Sequence, residues 1–165
     1  MDGEAKRVVR PTKVEINEMP LFCGLGLPEI VLVDNLTALN DAKMHLSTCP
    51  VLGFDTESQP TYKPGQKSKG PHLIQFSTLE RAFLFPVEYK AGLSLALSII
   101  SNSDVLKVGF GLAGDRSLFR KQFDASVNNA KDLAGKLSHQ FRIKQNVGAR
   151  AAIAIIFGQR LSKSS

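Results

Sequence analysis

Two acidic residues stand two positions apart in VLGFDTES, residues 51–58. The apolar residues before them predict a β-strand, on which residues i and i+2 point to the same face. Asp55 and Glu57 would then project together, which is costly for two anions unless a cation joins them. Hard divalent ions such as Mg²⁺ or Mn²⁺ prefer oxygen ligands. The pair therefore favours a metal site, although a strand that runs out into a polar loop has the same local pattern.

A third carboxylate follows a glycine-rich turn in KVGFGLAGDRSLF, residues 107–119. The pattern predicts a strand, a turn and then a helix that carries Asp115 in its first turn. The positive end of a helix dipole favours an ionised carboxylate. We therefore expect Asp115 to be available as a further ligand.

The same stretch also matches a dinucleotide-binding fingerprint. Gly109, Gly111 and Gly114 are spaced as G-x-G-x-x-G after a predicted strand, and Asp132 follows at about the required 20 residues. However, that fingerprint normally opens the first βαβ unit of its fold, whereas at least three predicted strands precede it here. The 33 residues after Asp132 are also too few for the rest of such a sheet. A dinucleotide-binding domain therefore remains the weakest of the alternatives.

The elements that must position these residues predict an α/β domain. Apolar and β-branched runs predict strands at 30–33, 51–56, 72–77, 82–85, 105–110 and 127–131. Helical spacing predicts helices at 13–18, 36–46, 91–100 and 112–123, and a further helical pattern from 132 onward that breaks around 146–148. The prolines and glycines of residues 58–71 predict a loop. Strands in a run that then alternate with helices favour a mixed sheet flanked by helices.

Taken in order, these motifs resemble the ribonuclease D and Werner-type 3′-5′ exonucleases, the DEDDy branch of the ribonuclease H-like superfamily. GFDTES, the proline-bearing loop and HLIQFST are similar to the first motif of that family, and VLKVGFGLAGDRSLF is similar to the second. The step Lys131–Asp132–Leu133 and the closing IFGQRLSKS resemble segments that follow. The resemblance spans residues 30–165 and is closest to bacterial single-domain members, so residues 1–29 would be an N-terminal leader.

The resemblance implies a fold, a reaction and a site. The fold would be ribonuclease H-like, with a five-stranded mixed sheet and helices on both sides. Asp55, Glu57 and Asp115 would be three of four catalytic carboxylates that bind two Mg²⁺ or Mn²⁺ ions. One ion would activate the water that attacks the terminal phosphodiester of DNA or RNA, and a nucleoside monophosphate would leave. Asp132 matches a position that we interpret as structural.

The chain departs from this family at the third motif. Such enzymes carry Tyr-x-x-x-Asp on a final helix, or His-x-x-x-x-Asp in a sister branch, but no Tyr follows Tyr89 and no acid follows Asp132. We therefore expect a C-terminally incomplete domain. Loss of residues that merely hydrogen-bond to metal ligands already costs ~10–100-fold in metal affinity or activity. The alternatives are an exonuclease with residual activity and an inactive remnant that binds nucleic acid. Apolar surface left open on residues 149–157 would favour self-association.

Positive charge is concentrated at the end of the chain. The final segment, 133–165, holds six Lys and Arg and no acid. Its charge of +6 therefore equals the net charge of all 165 residues. A basic segment beside a neutral body is typical of a surface that binds polyanions, but also of a solvated tail. In the loop after the first motif, three lysines could contact phosphates and one tyrosine could stack on a base, namely Lys63, Lys67, Lys69 and Tyr62. The alternative is a solvated loop whose lysines keep the chain soluble.

Few features indicate the compartment. Cys23 and Cys49 do not form a close pair, and the charged start of the chain lacks the pattern of a secretion signal. No apolar run approaches the ~20 residues of a membrane helix, so we expect a cytoplasmic protein without a membrane partner.

Overall fold

The computed structural model describes residues 8–59, 61–66 and 69–162. Its six strands are β1 Ile30–Leu32, β2 Val51–Ser58, β3 Pro71–Ser77, β4 Ala82–Pro86, β5 Leu106–Gly109 and β6 Ala130–Asp132. Its six α-helices are α1 Lys13–Glu18, α2 Leu36–Leu46, α3 Lys90–Ser101, α4 Ala113–Phe123, α5 Leu133–Phe141 and α6 Ala149–Phe157, and a 3₁₀ turn spans Leu27–Glu29. Across this described part of the chain, no helix combines the length and the apolar character needed to cross a membrane.

The chain divides into two compact units. The sheet unit is Leu25–Lys131, and the helical unit joins Met1–Gly24 to Asp132–Ser165. The sheet has the order β1-β4-β3-β2-β5-β6. Strand β3 is antiparallel to both β2 and β4, whereas β2 with β5 and β1 with β4 run parallel. The predicted mixed α/β fold is therefore confirmed, but with six strands rather than the five that the resemblance implied.

One face of the sheet unit carries the core. Alternation along β2, β3 and β4 buries one residue in two, and the buried set is Leu52, Phe54, Ile74, Phe76, Phe83 and Phe85. Phe54 stacks on its cross-strand partner Phe76, with ring centroids 5.7 Å apart, and also meets Phe119 of α4 at 6.0 Å. Buried side chains of α2 and α3 complete the same cluster. Phenylalanine thus fills the core of a chain that has no Trp.

Most strand ends lie within one residue of the sequence prediction, and the two larger differences have identifiable reasons. Strand β2 extends two residues further because Glu57 and Ser58 pair with β3, with an irregular register between them. Strand β6 begins three residues late because Asn129 has φ 47°, a left-handed conformation that interrupts extended backbone. Its carbonyl nevertheless accepts a hydrogen bond from Lys107 N at 2.9 Å, so β6 still joins the sheet beside β5.

Strand β5 carries a fully buried lysine. Lys107 has no solvent-exposed surface, and its Nζ donates to Asn102 O at 2.6 Å and to Val105 O at 2.8 Å. Because burial penalises the charged amine, it lowers the pKa of Lys107 below its usual value. Asn102 caps the C-terminal end of α3, so its carbonyl lies at the negative end of the helix dipole. A lysine amine that donates to this carbonyl stabilises the helix end.

An ion pair ties α2 to the turn before β4. Arg81 donates from both terminal nitrogens to the two carboxylate oxygens of Asp41, at 2.8 and 2.7 Å. This hydrogen bonding lowers the pKa of Asp41. The Arg81 guanidinium also lies 5.1 Å from the centroid of the Phe83 ring.

The helical unit is held by contacts distant in sequence. Leu21 forms a parallel bridge with Arg160, and Phe22 N donates to Arg160 O at 2.8 Å. Ser138 Oγ donates to Ala134 O within α5 at 2.6 Å, and it accepts from Val147 N, in the connection between α5 and α6, at 3.1 Å. The predicted helix at Lys13–Glu18 is confirmed, and a capping box at Thr12 fixes its start.

Candidate active site

The first predicted carboxylates lie on the exposed face of β2. Asp55 and Glu57 are both exposed, whereas Phe54, which directly precedes Asp55, is buried in the core. Strand alternation therefore points both carboxylates to one side, as predicted. The backbone N of Thr56 donates to Asp55 Oδ1 at 2.9 Å, which restrains that carboxylate close to its own strand.

The second motif reaches this segment through a side-chain contact. Asp115 lies in the first turn of α4, as predicted. Its Oδ1 accepts a hydrogen bond of 2.8 Å from Thr56 Oγ1, across 59 positions of sequence. Thr56 stands between Asp55 and Glu57, and by strand alternation its side chain belongs to the other face, with Phe54. Asp115 is thus fixed to the D-x-E segment, but at the residue between the two acids.

The glycines of the second motif serve this junction. A Cβ on Gly109 would collide with the carbonyl oxygen of Phe54, so glycine lets the end of β5 approach β2 closely. Gly111 has φ 75°, which favours glycine and turns the chain into α4. A dinucleotide fold has its parallel strands in the order 3-2-1-4-5-6. The order β1-β4-β3-β2-β5-β6, with an antiparallel β3 in the sheet interior, does not match it, and two of the three fingerprint glycines have local structural explanations.

The three predicted carboxylates have the ligand chemistry that a hard divalent ion prefers, but the structure does not group them around one ion position. Carboxylate oxygens are the ligands that Mg²⁺ and Mn²⁺ prefer. Among residues 8–59, 61–66 and 69–162, however, no group of three or more His, Cys, Asp or Glu is placed to hold a metal ion. The structure therefore brings Asp115 to the first motif without assembling the three-carboxylate set.

The loop after β2 presents most of the predicted nucleic-acid contacts to solvent. Tyr62 has 85% of its surface exposed, and Lys63 and Lys69 are also exposed. Lys67 lies outside the described residues. The predicted contacts therefore remain a prediction, with three of the four side chains accessible to a ligand.

A cavity of about 510 Å³ lies where this loop returns to β3. Its lining combines apolar residues such as Pro86 with polar and charged ones of both signs, namely Gln59, Lys69, His72, Glu88, Lys90 and Gln122. Its size is typical of a ligand pocket. Apart from Lys69, its polar residues were not anticipated from the sequence. They come from separate segments, so no local motif indicates them.

Asp132 has a structural contact, in line with its interpretation. Its carboxylate Oδ1 accepts from Ala134 N at 2.9 Å and caps the start of α5. On α6, Ile156 and Phe157 have 50% and 57% of their surfaces exposed. Self-association through this segment remains a prediction.

Comparison with known proteins identifies relatives of both sequence and fold. The mouse (Mus musculus) protein named bifunctional 3′-5′ exonuclease/ATP-dependent helicase WRN is 27% identical over 128 residues. This match covers 74% of the present chain but only 9% of WRN, so the chain spans less than a tenth of that relative.

Two solved structures share the fold. The Nibbler EXO domain of Aedes aegypti superposes with a TM-score of 0.69 at 21% identity, over 85% of this chain and 73% of that one. Ribonuclease D of Trypanosoma brucei, solved in complex with RNA U12, superposes with a TM-score of 0.69 at 17% identity. This match covers 89% of the present chain and 50% of that one.

Exonucleases of this type generally depend on divalent metal ions. Residues 30–148 match the 3′-5′ exonuclease family, and this range contains Asp55, Glu57 and Asp115. More than half of the chain is matched. The chain therefore belongs to the 3′-5′ exonuclease family.

Proposed function

We propose that this chain shortens a nucleic-acid strand from its 3′ end and releases nucleoside monophosphates. Asp55, Glu57 and Asp115 are the acidic residues proposed for this activity. The proposal rests on family membership together with the position of these residues within the matched range 30–148.

The hydrogen bond between Thr56 Oγ1 and Asp115 Oδ1 is the observation that carries the proposal. It joins the two motifs at the ends of neighbouring parallel strands, since β2 pairs with β5 up to Gly53 and Val108. Acidic residues that belong to one reaction must lie near one another. This contact brings Asp115 to the strand segment that contains Asp55 and Glu57, but through a side chain of the opposite face, so it supports the proximity of the two motifs rather than of the three carboxylates.

Substrate contacts are proposed in the loop and cavity beside β3. Lys69 and Lys90 line the cavity and can attract phosphate, while its prolines can pack against sugar and base. Tyr62 is exposed and can stack on a base. A related ribonuclease D has been solved with RNA bound, and we propose a nucleic-acid strand, DNA or RNA, as the substrate class here.

Mg²⁺ or Mn²⁺ is proposed as the cofactor on family grounds. The donor chemistry of the three carboxylates suits such ions, but their described arrangement does not form a site. Joint coordination of an ion by all three carboxylates would therefore require Asp115 to be repositioned relative to Asp55 and Glu57.

A shortening assay tests the proposal. We expect 5′-labelled single-stranded DNA or RNA to be shortened stepwise with Mn²⁺ or Mg²⁺, while a strand with a blocked 3′ end is not. Asp55→Asn, Glu57→Gln and Asp115→Asn should each reduce the rate of shortening by more than about 100-fold. Replacing a residue that only hydrogen-bonds to a metal ligand typically costs ~10–100-fold. The matched control is Asp104→Asn, which alters an exposed acid after α3 and should retain full activity.

A rate that is unchanged by all three site substitutions would refute the proposed residues. The second candidate function is nucleic-acid binding without hydrolysis. It is favoured by the lack of a three-donor group among the described residues. Binding of the labelled strand with no shortening in either metal would support this second candidate and exclude the first.

A further inference from the structure

We propose that the helical unit carries a separate binding surface for the phosphate backbone of nucleic acid, centred on Arg10. The Arg10 surface consists of five cationic residues from both ends of this unit. They are Arg10, Lys13, Arg142, Lys144 and Arg150.

Two open cavities meet at Arg10. The first, of about 340 Å³, is lined by Val8, Val9, Arg10, Arg142, Ile143, Lys144 and Gln145. The second, of about 290 Å³, is lined by Arg10, Lys13, Ile16, Asn17, Arg150 and Ala151. Among the described residues, neither lining includes an acidic one. A shared arginine between two depressions whose described charged residues are all basic gives a continuous positive surface rather than scattered charges.

Arg10 is held in place by the chain it faces. Its Nη1 donates to Gln145 Oε1 at 3.1 Å, a contact between residues 135 positions apart. The N-terminal segment is thus attached to the connection between α5 and α6, which is also held by hydrogen bonds of Ser138 Oγ with Gln145 O and Val147 N. Such restraint lowers the entropy that Arg10 would lose on binding a phosphate.

The acids of α1 are directed away from this surface. Lys13 and Asn17 are four positions apart on one helix face, and both line the second cavity. Glu15 instead bonds back to Thr12, accepting from its backbone N at 2.6 Å. At 100° per residue, Glu18 lies near Glu15 and opposite Lys13. The negative charges nearest in sequence therefore do not neutralise the cavity.

Five like charges repel one another unless an anion joins them. Screening by salt acts over ~8 Å at physiological ionic strength, so neighbouring side chains on this surface still interact. Arginine matches phosphate oxygens with its paired donors, and lysine supplies a point charge. A chain of phosphates can occupy both cavities at once, whereas a single small anion could occupy only one. These features select a polynucleotide backbone.

The binding assay omits hydrolysis, so that this inference and the proposed exonuclease activity can fail separately. A labelled single-stranded oligonucleotide is titrated with the full chain in EDTA by fluorescence anisotropy at several salt concentrations. Single strands give a slope of ~0.7 per phosphate contacted, so five contacts predict a slope of about −3.5 in log affinity against log salt. The triple variant Arg10→Ala/Lys13→Ala/Arg150→Ala should reduce the magnitude of this slope by about 2. If the affinities of the variant and the parent chain converge near 1 M salt, the variant should bind about 100-fold more weakly at 0.1 M.

The matched control removes three exposed cations elsewhere, with the same change in net charge. It is Lys43→Ala/Arg120→Ala/Lys136→Ala, whose residues line neither cavity. Its slope should stay within about 0.7 of the parent chain, one phosphate contact. Both variants are first checked for unchanged circular dichroism and melting temperature.

An oligonucleotide of the same sequence with an uncharged morpholino backbone should not bind. Equal loss of binding in both triple variants would overturn the inference, because it would show only a net-charge effect. Equal affinity for the morpholino strand would overturn it as well. Binding to anionic lipid vesicles but not to the oligonucleotide would assign the surface to a membrane and would also refute the inference.

Discussion

Replacing Thr56 with Val tests whether the contact between the two motifs stabilises the domain. Valine keeps the shape and the β-branching of threonine but cannot donate to Asp115 Oδ1, 2.8 Å away. Asp115 belongs to the first turn of α4, and Thr56 to β2, so the hydrogen bond fixes where the helix begins relative to the strand. Both side chains are partly buried.

The expected loss can be worked from this geometry. Hydrogen bonds to charged groups contribute ~1.5–3 kcal/mol, and partial exposure places this one at the lower end, so we expect a loss of about 1–2 kcal/mol. For a chain of this size, each 1 kcal/mol lowers the melting temperature by ~2–4 °C, which gives a decrease of about 2–8 °C. Urea denaturation and thermal melting followed by circular dichroism measure both quantities.

Two controls distinguish this contact from a general effect of the substitution. Thr56→Ser retains the hydroxyl and should recover most of the loss. Thr37→Val makes the same change at an exposed site of α2 and should alter stability by no more than ~0.5 kcal/mol. A double-mutant cycle of Thr56→Val with Asp115→Ala should give a coupling energy of at least ~0.5 kcal/mol. A coupling energy near zero would refute this account of the junction.

Three further predictions concern other parts of the sheet unit. Gly109→Ala should destabilise the fold by ~1–3 kcal/mol in urea denaturation because its Cβ meets β2 backbone, while Gly114→Ala, with open space around its Cβ, should be neutral or stabilising. Burial lowers the folded-state pKa of Lys107 below its ordinary value of 10.5, so between these two values the unfolded chain binds more protons and stability rises with pH; Lys107→Met should flatten this rise, measured by denaturation at a series of pH values below 10.5. The bond from Arg81 lowers the pKa of Asp41, so its contribution is present above about pH 3.9 and is lost as pH falls through the folded-state value; melting curves of Asp41→Asn should depend less on pH below 4.

Local sequence signals were sufficient for most elements. The helix Leu36–Leu46 begins and ends as predicted, since Asn35 accepts a hydrogen bond from Ala38 N and caps it. Strands were also found where β-branched and aromatic runs occur. The sequence did not reveal where cross-strand pairing lengthens β2, or where the left-handed Asn129 delays β6, because both depend on partners distant in the chain.

The candidate site was only partly predictable. Strand alternation was enough to predict that Asp55 and Glu57 share a face, and helix spacing was enough for the first turn of α4. The contact of Asp115 with Thr56 could not be read from either motif, since it depends on how β5 and α4 meet β2. Likewise, the cationic surface was expected from the C-terminal segment alone, whereas the structure adds Arg10 and Lys13 from the other end of the chain.

The order of the sheet also bears on how the protein behaves at high concentration. Strands at the two outer positions, β1 and β6, contain three residues each, while the central β2 contains eight. A short outer strand offers few unpaired N–H and C=O groups, so a neighbouring molecule finds little backbone on which to add a strand. This arrangement should limit amyloid-like stacking between copies, even though the interior strands are rich in aromatic residues.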